Sequence, residues 1–512
     1  MTKNLARIYS AELEGIKSRL IEVEVDLNVG LHAFNIVGLA DKALNEAKER
    51  VNSALKNSGV KPPNRENRKI TVNLAPADVK KTGSQYDLAI AIGYLLATGQ
   101  IKEFDTKDKL FIGELALDGR LRPVAGALNI AEMAKKVGFT SVLLPIQNAN
   151  EASVIDGVNI IAIETFQDAI EFLEGRRLIK PWTPQELEAE EISAPDFSEI
   201  KSQENAKRAM TIAASGGHNL LMSGPPGVGK SLLSQAMLGI LPRLALEEAI
   251  EVTKIYSAAG LSSGGLMAQR PFRSPHHTAS IVAVVGGGPD PKPGEISLAH
   301  RGILFLDELP EFQKNILESL RQPLESGSVH ISRAKASLVF PARFTLIAAM
   351  NPCPCGFWGD PDHECTCTAS EVLRYQKKIS GPLLDRIDLQ IKVQRVAISD
   401  LREKKPVKDI SAEIRRKVEE ARRVQEHRFA KLSARRRIRT NSEMSSRQAE
   451  EFADLDGGAE KFLGTLDKST LSPRGYYRIL KTARTIADLG QKEKISAEHL
   501  AEAFSYRLRE ET

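Results

Sequence analysis

The stretch Gly224-Pro225-Pro226-Gly227-Val228-Gly229-Lys230-Ser231 decides the fold of this chain. It fits the pattern G-x-x-x-x-G-K-[ST], whose glycines let the backbone turn sharply and bring its N–H groups close to phosphate oxygens. Lys230 supplies positive charge to the β- and γ-phosphates, and Ser231 offers a hydroxyl to Mg²⁺. The stretch therefore predicts a phosphate-binding loop for a nucleotide.

The residues on either side of this loop supply the expected context. Leu220-Leu221-Met222 is typical of a buried strand, and the stretch from Leu232 to Met237 has the pattern of a helix. A helix that begins at the loop directs its positive N-terminal end toward a bound anion. A surface turn of Gly and Pro needs neither neighbour, so strand, loop and helix together favour the nucleotide site.

A pair of acidic residues is predicted to supply the hydrolytic chemistry. Ile303-Leu304-Phe305-Leu306 is an apolar strand that ends in Asp307 and Glu308, and the ends of parallel strands carry the chemistry of α/β folds. We expect Asp307 to hold Mg²⁺ through water and Glu308 to polarise the attacking water. An apolar run followed by Asp-Glu is weak evidence by itself, but its position downstream of a phosphate loop makes it a strong indication of ATP hydrolysis.

Three further residues are candidates for contacts around the terminal phosphate. Asn351 ends the apolar strand from Leu346 to Met350 and fits a residue that orients the attacking water. Arg386, in the loop from Gly381 to Asp388, and Arg474, at a helix start, offer positive charge for the transition state. Taken alone, Asn351 is more typical of a strand-end turn, and either arginine also fits a surface ion pair.

The order of patterns along the 512 residues predicts an α/β protein of several domains. Strands and helices alternate from the start of the chain, which indicates one compact α/β domain over residues 1–174. Residues 175–195 contain prolines and an acidic stretch and are predicted to be a linker. The nucleotide-binding domain is predicted over residues 196–394, followed by a charged, helix-rich domain over residues 395–512.

Composition places few further limits on function. Hydrophobic residues make up 42% of the chain and charged residues 27%, as in ordinary globular proteins. The net charge of +5 is too small to indicate a nucleic-acid partner by itself. The sequence shows neither an apolar run of about 18 residues nor an apolar N-terminal signal, so we expect a cytoplasmic protein without a membrane partner.

The order of the motifs resembles a known family. Over nearly its whole length the chain is similar to the YifB/ComM family of magnesium-chelatase-like AAA+ ATPases. The shared segments, besides the phosphate loop, are LFLDE, AAMN, PLLDRID, SPRGYYRILKTARTIADL, RPFRSPHHT, PGEISLAH, LRQPLE and NPCPCG. The resemblance implies a central AAA+ P-loop ATPase domain, a C-terminal helical lid domain, and ATP with Mg²⁺ as cofactors.

The same resemblance implies how subunits cooperate. It implies a homo-oligomeric ring, expected to be a hexamer, with ATP sites between subunits. Arg386 is then the finger that acts on a neighbour's ATP, and Arg474 is the second sensor, which in this clade also acts in trans.

The N-terminal domain resembles the ChlI-type domain of the same family, whose ribosomal-protein-S5-like fold is shared with Lon-type proteases. Those proteases use a serine–lysine pair. In the matching stretch from Gly83 to Ala89, Tyr86 falls at the position of the nucleophile and Ser84 lies two residues earlier. The stretch from Val124 to Asn129 has no lysine for the base, and a serine without a base is a weak nucleophile. We therefore predict no protease activity.

The four cysteines of the chain all lie in one loop over residues 353–367. Two Cys-x-Cys pairs across a short loop can surround one zinc ion, with His363 as an alternate ligand. The spacing departs from the commoner Cys-x₂-Cys, so reduced thiols without metal stay open as an alternative. A metal here would stiffen the loop beyond Asn351. The proposed ligands are Cys353, Cys355, Cys365 and Cys367.

Three regions are candidates for contact with a macromolecular substrate. The segment over residues 258–299 is rich in Gly, Pro and Ser, and structureless loops of that size are usually functional. By the resemblance it is an insertion that projects toward a central pore. A hairpin over residues 329–339 carries Arg333 and Lys335 at its turn, where they either track a phosphate backbone or are simply solvated. The basic run over residues 415–439 is either a nucleic-acid contact or a solvated helix face.

The histidines of RPFRSPHHT are assigned a structural or pore-loop role. His276 and His277 are adjacent, and the side chains of adjacent residues point in different directions, which argues against metal ligation.

Together the residues and the resemblance predict an ATP-hydrolysing ring motor that acts on DNA. The hydrolytic step follows from the motifs, whereas the DNA step follows from the resemblance, which implies a helicase or branch-migration factor of recombination or natural transformation with DNA-stimulated ATPase activity. The alternative is a protein-remodelling or metal-chelatase-type ATPase that does not act on DNA, although nothing in the sequence resembles a porphyrin site.

Overall fold

The computed structural model describes residues 5–39, 41–65, 67–184, 194–262, 264–288, 290–332, 337–397, 409–430, 432, 438–466 and 471–507. These residues fold into two compact units. The first unit draws on residues 1–189, 246–268 and 332–340, and the second on residues 190–245, 269–331 and 341–512. Both units combine sheets with helices, so the predicted α/β class is confirmed. The domain boundaries proposed after residues 174, 195 and 394 stay predictions.

The first unit is built on a seven-stranded mixed sheet. The described residues up to Ile163 form nine strands, of which seven belong to this sheet. The nine strands are β1 Leu5–Glu14, β2 Lys17–Val29, β3 Ala33–Val37, β4 Arg68–Ala75, β5 Lys109–Phe111, β6 Glu114–Leu115, β7 Leu121–Arg122, β8 Ser141–Pro145 and β9 Asn159–Ile163. The sheet order is β3-β4-β2-β1-β5-β8-β9, and β6 pairs with β7 separately. The pairs β1–β2 and β2–β4 are antiparallel and the others in the large sheet are parallel.

Alternation of apolar and charged residues along β2 places one set of side chains in the core. Ile21, Val23 and Val25 are fully buried, and the acidic residues between them reach the surface. Helices then cover the sheet, and α3 is apolar on nearly every side because it packs both on β1 and β2 and under α2. The helices of this stretch are α1 Lys42–Asn45, α2 Ala47–Asn57, α3 Asp87–Thr98, α4 Ala127–Val137, α5 Ala149–Ala152 and α6 Phe166–Leu173.

The second unit contains a five-stranded sheet that is parallel throughout. The strands in the rest of the chain are β10 Leu220–Ser223, β11 Phe272–Arg273, β12 Gly286–Gly287, β13 Lys292–Pro293, β14 Ile303–Leu306, β15 Ser328–Ser332, β16 Ser337–Pro341, β17 Thr345–Met350 and β18 Leu389–Lys392. The order is β11-β14-β17-β10-β18. The strands β10, β14 and β17 are buried along nearly their whole length, which explains their continuous apolar sequences.

Parallel pairing brings the predicted motifs to one edge of this sheet. The phosphate loop follows β10, Asp307 and Glu308 follow β14, and Asn351 follows β17. Since β14, β17 and β10 are adjacent and parallel, their carboxyl ends meet at the same edge. This edge is the place where open α/β sheets bind ligands.

The helices in the rest of the chain, apart from α9, belong to the second unit. They are α7 Glu204–Gly216, α8 Lys230–Ile240, α9 Leu246–Ala259, α10 Ile281–Val285, α11 Glu295–Leu298, α12 Lys314–Ser319, α13 Arg321–Ser326, α14 Ala369–Gln376, α15 Gly381–Leu384, α16 Ile410–Phe429, α17 Ser446–Phe452, α18 Gly457–Leu466, α19 Pro473–Leu489 and α20 Ala497–Ser505. No helix of the described residues combines the length and the apolar character needed to cross a membrane.

Helix α9 belongs to the first unit although it follows the phosphate loop along the chain. Ile250 and Leu266 pack against the core formed by α4 and β8. Lys254 Nζ lies 2.6 Å from a carboxylate oxygen of Glu132, and the Ser257 carbonyl accepts a hydrogen bond from the Gly126 N–H at 3.0 Å. Apolar packing, an ion pair and backbone hydrogen bonding therefore all hold α9 in this unit.

The expectation of a structureless loop over residues 258–299 is wrong. The segment contains β11, α10, β12, β13 and α11, and β11 is a member of the five-stranded sheet. An ion pair stabilises it: Arg273 donates to both carboxylate oxygens of Glu295 at 2.6 and 2.7 Å. The short elements escaped detection because none is long enough to show a hydrophobic period.

Candidate nucleotide-binding and hydrolysis site

The phosphate loop leads directly into α8. Gly229 stands immediately before the helix with φ of +86°, a left-handed conformation that a residue with a Cβ adopts only at a cost. This turn points the free N–H groups of the first helical residues into the space above the sheet edge. A loop that leads into a helix N-terminus in this way suits a bound anion, as the predicted phosphate site requires.

Lys230 is buried in this loop, with 9% of its surface exposed. Its Nζ donates to the carbonyls of Gly224 at 2.6 Å and Pro225 at 3.0 Å and to Asn351 Oδ1 at 3.0 Å. Burial lowers the pKa of Lys230, and the nearby carboxylates of Asp307 and Glu308 oppose that shift. The lysine is thereby held at the junction of the loop and the end of β17.

Ser231 and Asp307 meet as the predicted magnesium ligands. The Ser231 hydroxyl donates to Asp307 Oδ2 at 3.0 Å. A hydroxyl and a carboxylate beside a phosphate loop are the ligands that Mg²⁺ uses with nucleotides, so the donor set fits this ion.

Glu308 occupies a strained backbone position next to these ligands. Its φ is +50°, which is rare for a residue with a side chain and is typical of functional sites. Its N–H donates to Asp307 Oδ1 at 2.9 Å, and its carboxylate remains half-exposed, with 54% of the side chain accessible. The side chain is therefore free to reach a water molecule above the loop.

The histidine pair lies at this site. His277 Nδ1 is 3.4 Å from Glu308 Oε2, and the His277 ring packs edge-on against Phe312. The rings of His276 and His277 lie 4.1 Å apart. Sequence reasoning assigned these histidines a structural or pore-loop role and did not anticipate the contact with the acidic residue.

Arg386 and Arg474 share one carboxylate, that of Glu325 on α13. Arg386 Nη2 donates to Glu325 Oε2 at 2.7 Å, and Arg474 Nη2 donates to Glu325 Oε1 at 2.8 Å. Hydrogen bonding to Arg386 and the positive charges around it lower the pKa of Glu325. The structure thus brings together two predicted arginines with an acidic residue that sequence reasoning missed, although Glu325 ends the segment LRQPLE.

A buried ion pair anchors the helix that carries Arg474. Arg478 lies one turn further along α19 and donates to Asp388 Oδ1. Asp388 also accepts from the Asn219 N–H at 2.9 Å and faces His218 Nδ1 at 3.7 Å. Burial alone would raise the pKa of Asp388, but Arg478, His218 and the N–H donor outweigh it and hold the pKa below its usual range.

A cavity of about 310 Å³ lies beside the phosphate loop. Its apolar wall includes Ile200, Val228 and Leu233, and Arg395 closes one side. The volume and the mixture of apolar and polar lining suit a small organic group such as a nucleoside. The full lining comprises Glu199, Ile200, Lys201, Gln203, Pro226, Gly227, Val228, Gly229, Leu232, Leu233, Arg395 and Val396.

The four cysteines are gathered into one cluster whose sulfur atoms all lie within 4.8 Å of one another. The Sγ atom of Cys355 lies 3.3 Å from that of Cys353 and 3.5 Å from that of Cys365, and the Sγ atoms of Cys353 and Cys365 are 3.7 Å apart. Tetrahedral zinc, with Zn–S bonds of about 2.3 Å, separates its sulfurs by roughly 3.8 Å, so the cluster fits this ion. The Phe357 N–H bonds to Cys355 and is the largest factor that lowers the pKa of this thiol to about 5.

The predicted alternate ligand His363 is engaged elsewhere. Its ring stacks on Phe357 with centroids 5.1 Å apart, and its Nδ1 lies 3.9 Å from the carboxylate of Asp360. The same carboxylate pairs with Arg395 at 3.0 Å, and the Arg395 guanidinium lies over the Phe357 ring. Arg395 therefore connects the cysteine loop with the cavity beside the phosphate loop.

Gly356 makes a second connection between the cysteine loop and the phosphate loop. It has φ of +91°, and a Cβ placed on it would come within 2.7 Å of Pro226 Cδ. Only glycine allows this approach, so the cysteine loop lies directly against the phosphate loop.

The candidate DNA contacts have different outcomes. Arg333 and Lys335 lie outside the described residues, between β15 and β16. In the basic run, Arg415 donates to the Gly239 carbonyl at 2.8 Å. Arg422 donates twice to the Ala214 carbonyl, at 2.6 and 3.0 Å. These two arginines stabilise helix packing.

Ser84 and Tyr86 lie in a buried polar cluster of the first unit. The Tyr86 hydroxyl donates to Glu12, and Ser84 Oγ donates to Glu114. Burial raises the pKa of Glu12 to about 7. The side-chain partner of Ser84 is thus an acidic residue.

Fold and site together define the class of the protein. A parallel sheet carries a phosphate loop, an acidic pair and a sensor asparagine at one edge, and a helical C-terminal part adds an arginine, which defines a P-loop domain of the AAA+ class. The chain is 43% identical to the competence protein ComM of Haemophilus influenzae and 41% identical to the protein YifB of Escherichia coli, and each alignment covers 98% of this chain and 97% of the relative. The chain belongs to the YifB/ComM family of magnesium-chelatase-like AAA+ proteins.

Family models agree with this assignment. The model "Magnesium chelatase, subunit ChlI" matches residues 196–401, "Subunit ChlI of Mg-chelatase" matches residues 23–148, and "Magnesium chelatase, subunit ChlI C-terminal" matches residues 408–507. The chain is also 30% identical over 178 residues to the magnesium-chelatase 38 kDa subunit of Cereibacter sphaeroides, covering 30% of this chain and 52% of that subunit. Membership indicates ATPase activity with ATP and Mg²⁺, and AAA+ proteins typically form oligomers.

Proposed function

We propose that this chain is an ATP-hydrolysing ring motor that acts on DNA. The observation that carries the hydrolytic part is the meeting of Lys230, Ser231, Asp307, Glu308 and Asn351 at one sheet edge, where Lys230 contacts Asn351 and Ser231 contacts Asp307. This arrangement supplies charge, metal ligands, a base and a water-orienting amide around one phosphate position.

The side chains divide the work of hydrolysis among them. The loop amides and Lys230 bind the β- and γ-phosphates, and Asn351 orients the attacking water toward the γ-phosphorus. Glu308 takes a proton from that water as the water oxygen bonds to the γ-phosphorus, and the bond to the ADP oxygen breaks with its electron pair leaving on ADP. Mg²⁺ held by Ser231 and Asp307 would neutralise charge on the β- and γ-phosphate oxygens.

The arginines are proposed to act between subunits of a hexameric ring. Arg386 and Arg474 lie together at Glu325, and positive charge added from a neighbour stabilises the transition state by a factor of about 10³–10⁵. The test mixes two inactive variants, Lys230→Ala and Arg386→Ala. Mixed rings place an intact arginine beside an intact phosphate loop, so activity should return on mixing; co-assembled rings that stay inactive would refute the exchange between subunits.

DNA is the proposed substrate of the motor, in a helicase or branch-migration role. The support is the relationship to a protein named for competence, 43% identical over nearly its whole length. The test compares ATP turnover alone and with single-stranded, double-stranded and four-way-junction DNA. Stimulation by DNA supports the proposal, and equal rates with and without each DNA would count against it.

The basic residues Arg333 and Lys335 are proposed to contact the DNA backbone. Changing both to alanine should weaken DNA binding and flatten its dependence on salt, because each phosphate contact contributes to counterion release. Basal ATP turnover should be unchanged. An unaltered DNA affinity in the double variant would remove this part of the proposal.

A protein-remodelling or metal-chelatase-type ATPase is the second candidate function. The observation that favours it is that all three family models describe a magnesium-chelatase subunit. The same turnover assay separates the two candidates, since this alternative predicts no response to DNA.

We propose that the cysteine cluster holds a structural zinc ion. The support is the spacing of its four sulfurs and the direct approach of its loop to the phosphate loop. Protein purified without chelator should contain about one zinc per chain by elemental analysis, and Cys365→Ser should lose it. Wild-type protein free of zinc would disprove the proposal.

We propose that the first unit has no protease activity. The side-chain partners of Ser84 and Tyr86 are the acids Glu114 and Glu12, which do not supply the lysine base of a Lon-type site. Casein cleavage that disappears in Ser84→Ala would show the opposite.

A further inference from the structure

Glu325 stands between the two arginines that the proposed mechanism lends to a neighbouring subunit. Its two oxygens are used separately: Oε2 accepts from Arg386 at 2.7 Å and Oε1 accepts from Arg474 at 2.8 Å. The three residues come from α13, from the loop after α15 and from the start of α19. A single carboxylate thus ties together three stretches of the second unit.

One of the three side chains is buried and the other two are about half-exposed. The Arg386 side chain is 6% exposed, whereas Glu325 is 51% exposed and Arg474 is 56% exposed. Arg386 is also fixed from behind, since its Nη1 donates to the Pro382 carbonyl at 2.6 Å. The carboxylate therefore lies at the surface with a buried guanidinium behind it and an exposed guanidinium beside it.

Charge repulsion would separate these arginines without the carboxylate. Two guanidinium groups that bind the two oxygens of one carboxylate repel each other, and Arg478 adds further positive charge on the same helix as Arg474. Arg478 has a counter-ion of its own in Asp388. Among the residues that the structure describes, Glu325 is the acidic residue that accepts hydrogen bonds from both Arg386 and Arg474.

A carboxylate and a phosphate present oxygen atoms to guanidinium groups in similar ways. Arginines held at a spacing that suits the two oxygens of Glu325 are consequently held at a spacing that suits two oxygens of one terminal phosphate. We propose that Glu325 is a positioning residue that sets the separation and direction of Arg386 and Arg474, so that both reach the same γ-phosphate of a neighbouring subunit. This inference rests on the proposed function, in which the two arginines act in trans.

The first test compares ATP turnover by Glu325→Ala, Glu325→Gln and Glu318→Ala. A misplacement of about 1 Å in a catalytic group lowers a rate up to about a hundredfold. We expect kcat to fall at least about tenfold in Glu325→Ala while KM for ATP changes less than about twofold. Glu325→Gln keeps one acceptor oxygen and should lie between that variant and the wild type. Glu318→Ala is the control, because Glu318 pairs with Arg321 on neighbouring helices, and its kcat should stay within about twofold of wild type.

The second test asks which side of the subunit boundary Glu325 serves. Mixed rings are made from a nucleotide-binding subunit with Arg386→Ala and an arginine-donating subunit with Lys230→Ala. Glu325→Ala added to the donating subunit should lower the recovered activity at least about tenfold. The same change added to the nucleotide-binding subunit should leave it unchanged, since that subunit's own arginine is already absent. A merely structural role would lower both mixtures equally.

The outcomes separate this inference from the proposed function. If the Lys230→Ala and Arg386→Ala subunits fail to complement each other, the action of the arginines in trans is wrong and Glu325 loses its proposed role with it. If they do complement each other but Glu325→Ala has the same effect on either side, or none, the positioning role alone is wrong. Thermal unfolding of each variant at the wild-type temperature confirms that the altered subunits are folded.

Discussion

The Nζ atom of Lys230 lies 3.0 Å from Oδ1 of Asn351 and joins two motifs that are 121 residues apart in the sequence. The lysine of the phosphate loop and the amide at the end of β17 are thus in direct contact. In the proposed mechanism, a γ-phosphate that accepts a hydrogen bond from Lys230 competes with this contact, and the amide then orients water. Three variants test this site directly.

Lys230→Ala should abolish ATP turnover and weaken nucleotide binding at least about tenfold, because a charge-assisted hydrogen bond contributes roughly 1.5–3 kcal/mol. Binding is measured by titration with a fluorescent ATP analogue. Lys207→Ala is the control, since Lys207 pairs with Glu204 on α7 and is neither part of the phosphate loop nor among the residues that line the cavity beside it. Wild-type affinity in Lys230→Ala would contradict the assigned role.

Glu308→Gln should bind ATP with normal affinity and hydrolyse it about 10²–10⁴ times more slowly, the range for loss of a general base. Single-turnover hydrolysis measures the chemical step. Glu311→Gln, which removes a surface carboxylate paired with Lys378, should hydrolyse ATP at the normal rate. Equal rates for the two variants would exclude Glu308 as the base.

Asn351→Ala should lower kcat about a hundredfold, as expected when one aligned polar group is removed from a transition state. Nucleotide affinity should change only a few-fold, because the loop amides and Lys230 remain. The comparison of kcat with the nucleotide dissociation constant is the measurement. A large loss of affinity with kcat preserved would instead assign Asn351 to binding.

Gly356→Ala should weaken nucleotide binding about tenfold. The added Cβ would lie 2.7 Å from Pro226 Cδ, so the phosphate loop must shift. Gly359→Ala is the control in the same loop, since it shares a positive φ of +75° but has open space around the added atom. If the two variants bind ATP equally well, the contact with Pro226 has no influence on the phosphate loop.

Asp388→Asn should lower the free energy of unfolding at pH 7 by about 3 kcal/mol, because it leaves Arg478 without its buried counter-ion. The pKa of Asp388 is depressed in the folded state. Its contribution is therefore present above the ordinary aspartate pKa of about 4 and is lost as the pH falls toward the folded value. Urea unfolding at pH 7 and below pH 4 should show the difference between variant and wild type shrinking in acid; a constant difference would contradict this.

Local patterns allowed the nucleotide site to be predicted from the sequence. The apolar runs before Asp307 and Asn351 form buried parallel strands, and parallel pairing alone brings their ends to the phosphate loop. The bounds of short helices are harder to predict: residues 42–57 form two helices divided at Glu46, and the Asp41 side chain caps the first of them.

Contacts between distant residues could not be predicted in this way. The pairing of Glu325 with Arg386 and Arg474, and that of Asp388 with Arg478, depends on how loops and α19 pack in three dimensions. The contact of His277 with Glu308 arises because β11 lies beside β14 in the sheet. A two-residue strand such as β11 has no periodic pattern, so its place in the sheet has no signal in a single sequence.

The placement of α9 limits how the chain can be divided for laboratory work. Its Ile250, like Leu266 after it, packs against a core of residues between Ala11 and Ile160, and Lys254 is paired with Glu132 in the same unit. A truncated polypeptide that starts near Asp196 would retain every predicted catalytic motif. It would, however, expose the apolar face of α9 to solvent and leave Lys254 without Glu132. Such a fragment should aggregate or be degraded on expression, so the protein is best expressed and purified as the intact chain.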